Sequence, residues 1–343
     1  MTQAVQTAQY GSSNVGLAFK NRIINGAMVI DQRNAGASGT ANGYTVDRWA
    51  YVASQASKAT WQQNAGSVTP PAGFIKYLGF TSSSAYTVGA SEVFLAYQPI
   101  EGFNCADLGW GTASAKTITL SFWVRSSLTG TFGGALQNSA QNRSYPFSYT
   151  VSSASTWEQK SITIAGDTSG TWLTTNGIGI LLSFSLGTGS TFSGTAGAWA
   201  GADYRSATGA TSVVGTNGAT FYITGVQLEV GSTATSFDYR PYGTELALCQ
   251  RYFYKPNSAV NGSFSVYSGY SAAGGIFGHT YFYPVAMRAT PSISVIGTFT
   301  VSNCAQPSFL PVAADNMLVY STATASNVAY FAGGATVSVS AEL

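Results

Sequence analysis

Along most of the chain, apolar residues come in short runs separated by stretches of Gly, Ser, Thr, Ala and Asn. The runs include "RIINGAMVI" (22–30), "DRWAYVA" (47–53), "VFLAYQPI" (93–100) and "TITLSFWVR" (117–125). Further along come "SYPFSYTV" (144–151), "WEQKSITI" (157–164), "GIGILLSFS" (177–185) and "TFYITGVQLEV" (220–230). Runs rich in β-branched and aromatic residues, bounded by turn formers, predict strands. In "TITLSFWVR" the period is two. Ile118, Leu120, Phe122 and Val124 share one face, and Thr119, Ser121, Trp123 and Arg125 the other. Eight or more antiparallel strands in this region predict a jelly-roll sandwich over 21–242. The stretch 187–210 between two of them is too Gly-rich for strand and reads as a long loop.

A second β-rich stretch carries "SFSVYS" (263–268), "GHTYFYPV" (278–285), "SISVIGTFTV" (292–301), "NMLVYS" (316–321) and "TVSVSA" (336–341). It predicts a smaller β-sandwich over 256–343. Between the two lies "YRPYGTELALCQRYFYKP" (239–256), a cluster of helix formers between prolines. Thr244 as cap and Glu245 in the first turn predict a helix over 245–254, stopped before Pro256. Leu246, Cys249, Gln250 and Phe253 fall at i, i+3, i+4 and i+7 on one face. A helix this short needs packing to form. Three copies meeting on an axis through Leu246, Cys249 and Phe253 would supply it in a homotrimer, making 243–255 a connector. The alternative is a lid beneath the sandwich of the same chain. Residues 1–20 are small and polar and read as a docking arm. The fold expected is therefore all-β: a jelly-roll sandwich, a short helix and a smaller C-terminal β-sandwich.

Composition narrows the function. Only 8% of the 343 residues are charged and the net charge is +2, with no run of Lys or Arg. Nucleic acid is thereby excluded as a partner. No apolar run approaches the ~18 residues of a membrane span, and the N-terminus lacks the pattern of a secretory signal, so no membrane insertion is expected. Cys105, Cys249 and Cys304 lie far apart and read as buried thiols.

The single histidine, His279, has aromatics on both sides and no G-x-S-x-G elbow before it, which leaves no nucleophilic triad. No pair among the thirteen acids is singled out by spacing for glycoside hydrolysis. Catalytic residues are thus not expected. Sugar binding fits better, because aromatic rings stack on sugar C–H faces while Asp, Asn, Gln and Arg meet hydroxyls. Trp199, Asp203, Tyr204 and Arg205, in the long loop, form such a set, unless Trp199 folds back onto the sandwich. No cofactor is expected beyond a structural calcium ion. Its candidates are Asn25 and Glu229, with Asp31 and Asp238, near the first and last strands, where ion pairs with Arg33 and Arg240 are the alternative.

Several segments carry a family resemblance. "NRIINGAMVIDQRNAG" (21–36), "YTVDRW" (44–49), "LSFWVRSS" (120–127), "WEQKSITIAGDTSGTW" (157–172) and "ITGVQLEVGSTATSFDYRPYGTELALCQRYF" (223–253) resemble a jelly-roll domain of bacteriophage tail fibres. "YFYPVAMRATPSISV" (281–295) is similar to an element of the distal domains of the same fibres. The resemblance covers roughly 21–295. It implies a virion protein assembled in the host cytoplasm, a homotrimeric fibre and no catalytic residues. It also implies contact with host surface polysaccharide or lipopolysaccharide, and with other tail or virion proteins through the arm. Family members often carry a long shaft or attachment domain where only about 20 residues precede the sandwich here. A short fibre, a capsid-decorating fibre or the distal half of a split fibre would fit that departure. If the distal tip meets the glycan, Tyr267, Tyr270, Phe277 and His279 are the candidates. A structural virion adaptor and a polysaccharide depolymerase are the two other readings.

Overall fold

A computed structural model describes residues 20–256 and 267–343. The arm and the start of "SFSVYS" lie outside the described residues. In chain order the first strands are β1 (Gly43–Tyr44), β2 (Ala50–Ala53), β3 (Ala59–Gln63), β4 (Leu78–Ser82) and β5 (Val93–Glu101). Next come β6 (Ile118–Ser126), β7 (Gly130–Gln137), β8 (Ser144–Val151) and β9 (Glu158–Ile164). β10 (Ile178–Thr188), β11 (Ser193–Gly194), β12 (Ser206–Ala207) and β13 (Thr220–Val230) complete the larger unit.

These strands form two antiparallel sheets, ordered β1-β2-β5-β10-β7-β8 and β3-β4-β13-β6-β9. The alternation read in "TITLSFWVR" is what faces them together. Ile118, Leu120, Phe122 and Val124 are at most 1% exposed. They join Phe94, Phe147 and Phe184 of the other sheet in one core, with Phe122 and Phe184 ring centroids 4.9 Å apart. Each such side chain contributes roughly 1.5–3 kcal/mol by leaving water.

Two departures have local causes. "RIINGAMVI" is not a strand: Asn25 and Met28 take φ of 57° and 59°. The Asn25 side chain accepts from Ile30 N and donates to the Ile30 and Asp47 carbonyls, so a side-chain-closed turn replaces ladder pairing. Conversely, "GTFGGALQ" forms β7 although it is Gly-rich. A Cβ on Gly134 would overlap the Phe147 ring and the Ser183 carbonyl, so glycine there permits close packing.

The helix α1 spans Tyr242–Gln250, with Pro241 as its N-cap and no side-chain cap, so Thr244 does not play that part. Glu245 instead accepts from the Asn25 backbone and pairs with Arg240 at 3.3 Å. Leu246, Cys249 and Phe253, expected on one helix face, sit in different surroundings within the chain. Cys249 is fully buried against Ile24, Ile30 and Tyr252 of its own chain, and burial raises its thiol well above the usual range. Phe253 has left the helix for β14 (Phe253–Tyr254), beneath the Arg33 guanidinium. Only Leu246 of the three keeps partial exposure. Cys249 and Phe253 are thus covered by their own chain.

The smaller unit continues with β15 (Tyr267–Ser271), β16 (Ile276–Phe282), β17 (Ser292–Ile296) and β18 (Thr300–Ser302). It ends with β19 (Ser308–Pro311), β20 (Asn316–Thr322), β21 (Asn327–Ala332) and β22 (Thr336–Ser340). Its strands make three three-stranded sheets, β14-β22-β17, β15-β21-β18 and β16-β20-β19. A core of Met287, Phe299, Met317, Val319, Phe331, Val337 and Val339 lies among them. The predicted run 292–301 splits into β17 and β18 at Gly297, whose φ is 86°.

Buried ion pairs join the two units. Glu101 takes a bidentate grip from Arg251, at 2.7 and 2.9 Å, and the Tyr252 hydroxyl at 2.5 Å. Glu342 pairs with Arg33 at 2.6 Å and with Arg48. Among the described residues no helix is long and apolar enough to cross a membrane.

Candidate functional site

The face of the six-stranded sheet that points away from the core forms a cleft. Antiparallel register sets Ala50, Tyr97, Ser183 and Ala135 side by side in one row, and Pro99, Leu181 and Gln137 in the next. Val52 pairs with Leu95 beyond them. The loop between β10 and β13 folds over the β7–β8 end of this face. Ser144 Oγ donates to the Ala202 carbonyl at 2.7 Å, and Ser183 Oγ to the Arg205 carbonyl at 3.2 Å. What stays open is a cleft of about 220 Å³. Val52, Leu95, Tyr97, Leu181 and Ser183 line its floor; Gln137, Gln141 and Arg205 stand on one side, Pro99 and Leu343 on the other.

The polar side is prearranged. Asp203 accepts from Arg205 Nε at 3.0 Å and Nη2 at 2.8 Å, and from Gln137 Nε2 at 2.6 Å. The same Arg205 Nη2 donates to Gln141 Oε1 at 3.3 Å, and the guanidinium lies 4.5 Å above the Phe192 ring. Gln141 itself is held in the left-handed region, φ 54°, within a turn closed by Asn138 Oδ1 on the amides of Asn142 and Arg143. Non-glycine residues in that region store strain, which recurs at binding sites. A planar fork held through Nε and Nη2 keeps its geometry without waiting for ligand.

The set Trp199, Asp203, Tyr204 and Arg205 therefore divides. Arg205 lines the cleft, and Asp203 braces that side through its bonds to Arg205 and Gln137. Trp199 packs edge-on against Trp110 and Trp172, with centroids 5.3 and 5.4 Å away, and its indole N–H donates to the Ala165 carbonyl. Tyr204 lies flat over Gly194, where any side chain would strike its ring. Both hold the loop rather than face the cleft.

At the smaller unit the candidates lie on β15 and β16. Tyr270 is 74% exposed on the outer face of β15. Phe277 stacks on Phe331 at 6.3 Å, and His279, two residues on, shares that inward side. Burial lowers the His279 pKa. Tyr267 pairs with Phe331 in the ladder.

Asn25 and Glu229 are also apart in role. Glu229 accepts from Gln227, the Thr235 amide and the Thr235 hydroxyl, while Asn25 closes its turn. Among the described residues no group of three His, Cys, Asp or Glu could hold a metal ion.

Tyr97, Gln137, Gln141 and Leu343 were not anticipated. The period-two pattern of "VFLAYQPI" places Leu95, Tyr97 and Pro99 on one face, but which strands lie beside them is set by pairing across the chain. A second cavity of about 260 Å³, with Phe74, Phe237 and Tyr239 in its lining, opens beside α1. Its Arg240, Asp238 and Glu245 are bonded to one another and to backbone.

No protein-family model matches the chain, and no curated protein matches it. Among solved structures the chain is similar to a putative sugar binding protein from Bacteroides thetaiotaomicron, at TM-score 0.35 and 12% identity, over 62% of this chain and all of that one. It is also similar to TmCBM61 in complex with β-1,4-galactotriose, at TM-score 0.32 and 11% identity, over 62% of this chain and 99% of that one. The third is the enzymatically active domain of tailspike protein 4 of bacteriophage CBA120, at TM-score 0.32 and 10% identity. That match covers 62% of this chain and 21% of the tailspike chain.

Proposed function

We propose that the protein binds a neutral carbohydrate in the cleft on the six-stranded sheet, without cleaving it, as the adhesive part of a virion fibre. The observation that carries this reading is the pairing of an aromatic and aliphatic floor with the locked Gln137–Asp203–Arg205–Gln141 wall. Tyr97 offers a ring to a sugar face, and the amides and guanidinium meet hydroxyls. The formal charges of Arg205 and Asp203 cancel, which favours uncharged sugars over uronic or sialic acids. Hydrolysis calls for two carboxylates flanking the bond; the one carboxylate beside this cleft, Asp203, is taken up by Arg205 and Gln137 and has no second carboxylate among the lining residues. The place on a virion follows from the family resemblance of the sequence.

Wild-type protein on an array of neutral and acidic oligosaccharides should retain neutral ones, and the tightest-bound, taken to calorimetry, should bind Tyr97→Ala at least about tenfold more weakly. Equal affinity in a variant of unchanged stability would sink the cleft reading.

A homotrimer remains part of this proposal, with its contact moved from α1 to the outer face of β16-β20-β19. There Ile276 is 72%, Phe282 67% and Leu310 51% exposed on a face without charge. Such apolar exposure marks association surfaces. Light scattering should give three times the chain mass, falling to one in Phe282→Asp; a monomeric wild type overturns the fibre reading.

A further inference from the structure

We infer that Leu343, delivered by the distal unit, is a specificity-determining wall of the carbohydrate cleft, and that Glu342 is the residue that positions it. This rests on the carbohydrate reading of the cleft. Leu343 comes three residues after β22, the central strand of a sheet in the smaller unit, yet it lines the cleft of the other unit while packing on the Ile24, Ile30, Cys249 and Tyr252 cluster. Its carbonyl accepts from the Tyr44 hydroxyl at 3.2 Å. Tyr44 pairs with Ala50, the cross-strand neighbour of Tyr97. Leu343 thus enters beside Tyr97, facing Arg205 across the floor.

Its approach is held at every step. The Ala341 amide donates to the Tyr252 carbonyl at 2.8 Å. Arg288 donates to the Ala341 and Glu342 carbonyls at 2.9 and 3.0 Å, and to the Asn176 carbonyl of the sandwich at 2.7 Å. The Glu342 carboxylate is then fixed by Arg33 and Arg48. An apolar wall opposite a polar one sets how wide a sugar the cleft admits. It selects linear chains over those branched toward Leu343, because a residue whose backbone is held on both sides yields little. By linkage, bound sugar steadies the joint and the joint steadies bound sugar.

The test uses the full chain on an array of linear and branched neutral gluco-, galacto-, manno- and xylo-oligosaccharides, followed by calorimetry with the tightest linear ligand. Leu343→Ala should weaken that ligand about tenfold and admit branched oligosaccharides that the wild type excludes. Glu342→Gln should reproduce both changes and Glu342→Asp should restore part of the selectivity, which a loss of stability alone does not alter. Unchanged affinity and selectivity in Leu343→Ala, alongside weakened binding in Tyr97→Ala, overturns the wall and leaves the cleft standing. Failure of wild-type protein to retain any oligosaccharide overturns both. The Leu343 variants decide the matter even if Glu342→Gln does not fold.

Discussion

Arg48→Ala should lower the folding stability by about 4 kcal/mol, read as a shift of the urea midpoint followed by tryptophan fluorescence. Arg48 is 1% exposed and carries φ of 68°. Its Nη2 donates to the Pro99 carbonyl at 2.5 Å, its Nη1 to Glu342, and its guanidinium lies 3.6 Å from the Tyr252 ring centroid. Three kinds of contact therefore vanish together. Glu342 loses one of its two cations, a buried carbonyl loses its donor, and the space under Tyr252 empties. Breaking a buried pair from one side costs about 3–5 kcal/mol because the remaining charge stays desolvated. Arg48→Lys should recover less than half, since an ammonium cannot serve a carbonyl, a carboxylate and a ring in one plane. Lys160→Ala, which removes a partly exposed pair with Glu158, should cost under about 1 kcal/mol. An Arg48→Ala cost no larger than that one would show the joint does not depend on its buried charges.

This joint also shows how far the sequence was legible. β6 was readable because one buried face imposes period two on a strand, and β10 and β13, whose register shifts break that period, were readable from branched and aromatic residues between turn formers. β7 was not, because its Gly133 and Gly134 answer to neighbours from β8, β10 and the covering loop rather than to strand propensity. The segment 22–30 misled for the opposite reason: its apolar residues are buried, but Asn25 closes a turn that propensity does not register. In the helix, the pattern marked Cys249 and Gln250 as buried, while Leu246 stays partly exposed and Phe253 falls in β14. Pattern alone does not say what covers Cys249, and here Ile24 and Ile30 of the same chain do. Of the site, Asp203 and Arg205 were legible as a polar pair in a loop. Tyr97, Gln137 and Leu343 were not, since cross-strand pairing and the return of the C-terminal residues bring them together over separations from about 40 to about 250 positions.

The second large effect is one of pH. Wild-type stability should fall as pH rises from 4 to 7.5, and the fall should be lost in Asp47→Asn. Asp47 is fully buried, and desolvation pushes its carboxyl up to about 7. Arg33, 3.8 Å away, and the Gln32 amide at 2.5 Å pull the other way, while Glu342 and Asp31 add repulsion. A carboxyl whose folded pKa lies above its unfolded value of 3.8 binds more protons folded than unfolded between the two. Its contribution is thus complete below about pH 4 and is lost as pH rises through about 7. Roughly three units correspond to a ceiling of about 4 kcal/mol. Three other groups slope the opposite way: Glu92, lowered chiefly by the Gly89 amide, Glu158, lowered chiefly by the Lys160 bond, and His279, lowered by burial. All three are partly exposed, so their share is small. Urea midpoints at pH 4.5, 5.5, 6.5 and 7.5 separate the contributions, because Asp47→Asn keeps every group but one. The gap between variant and wild type should widen steadily with pH in favour of the variant. A gap that stays constant over the range would mean that the Arg33 side of the site holds Asp47 charged throughout, so that its buried carboxylate pairs within the joint at every pH.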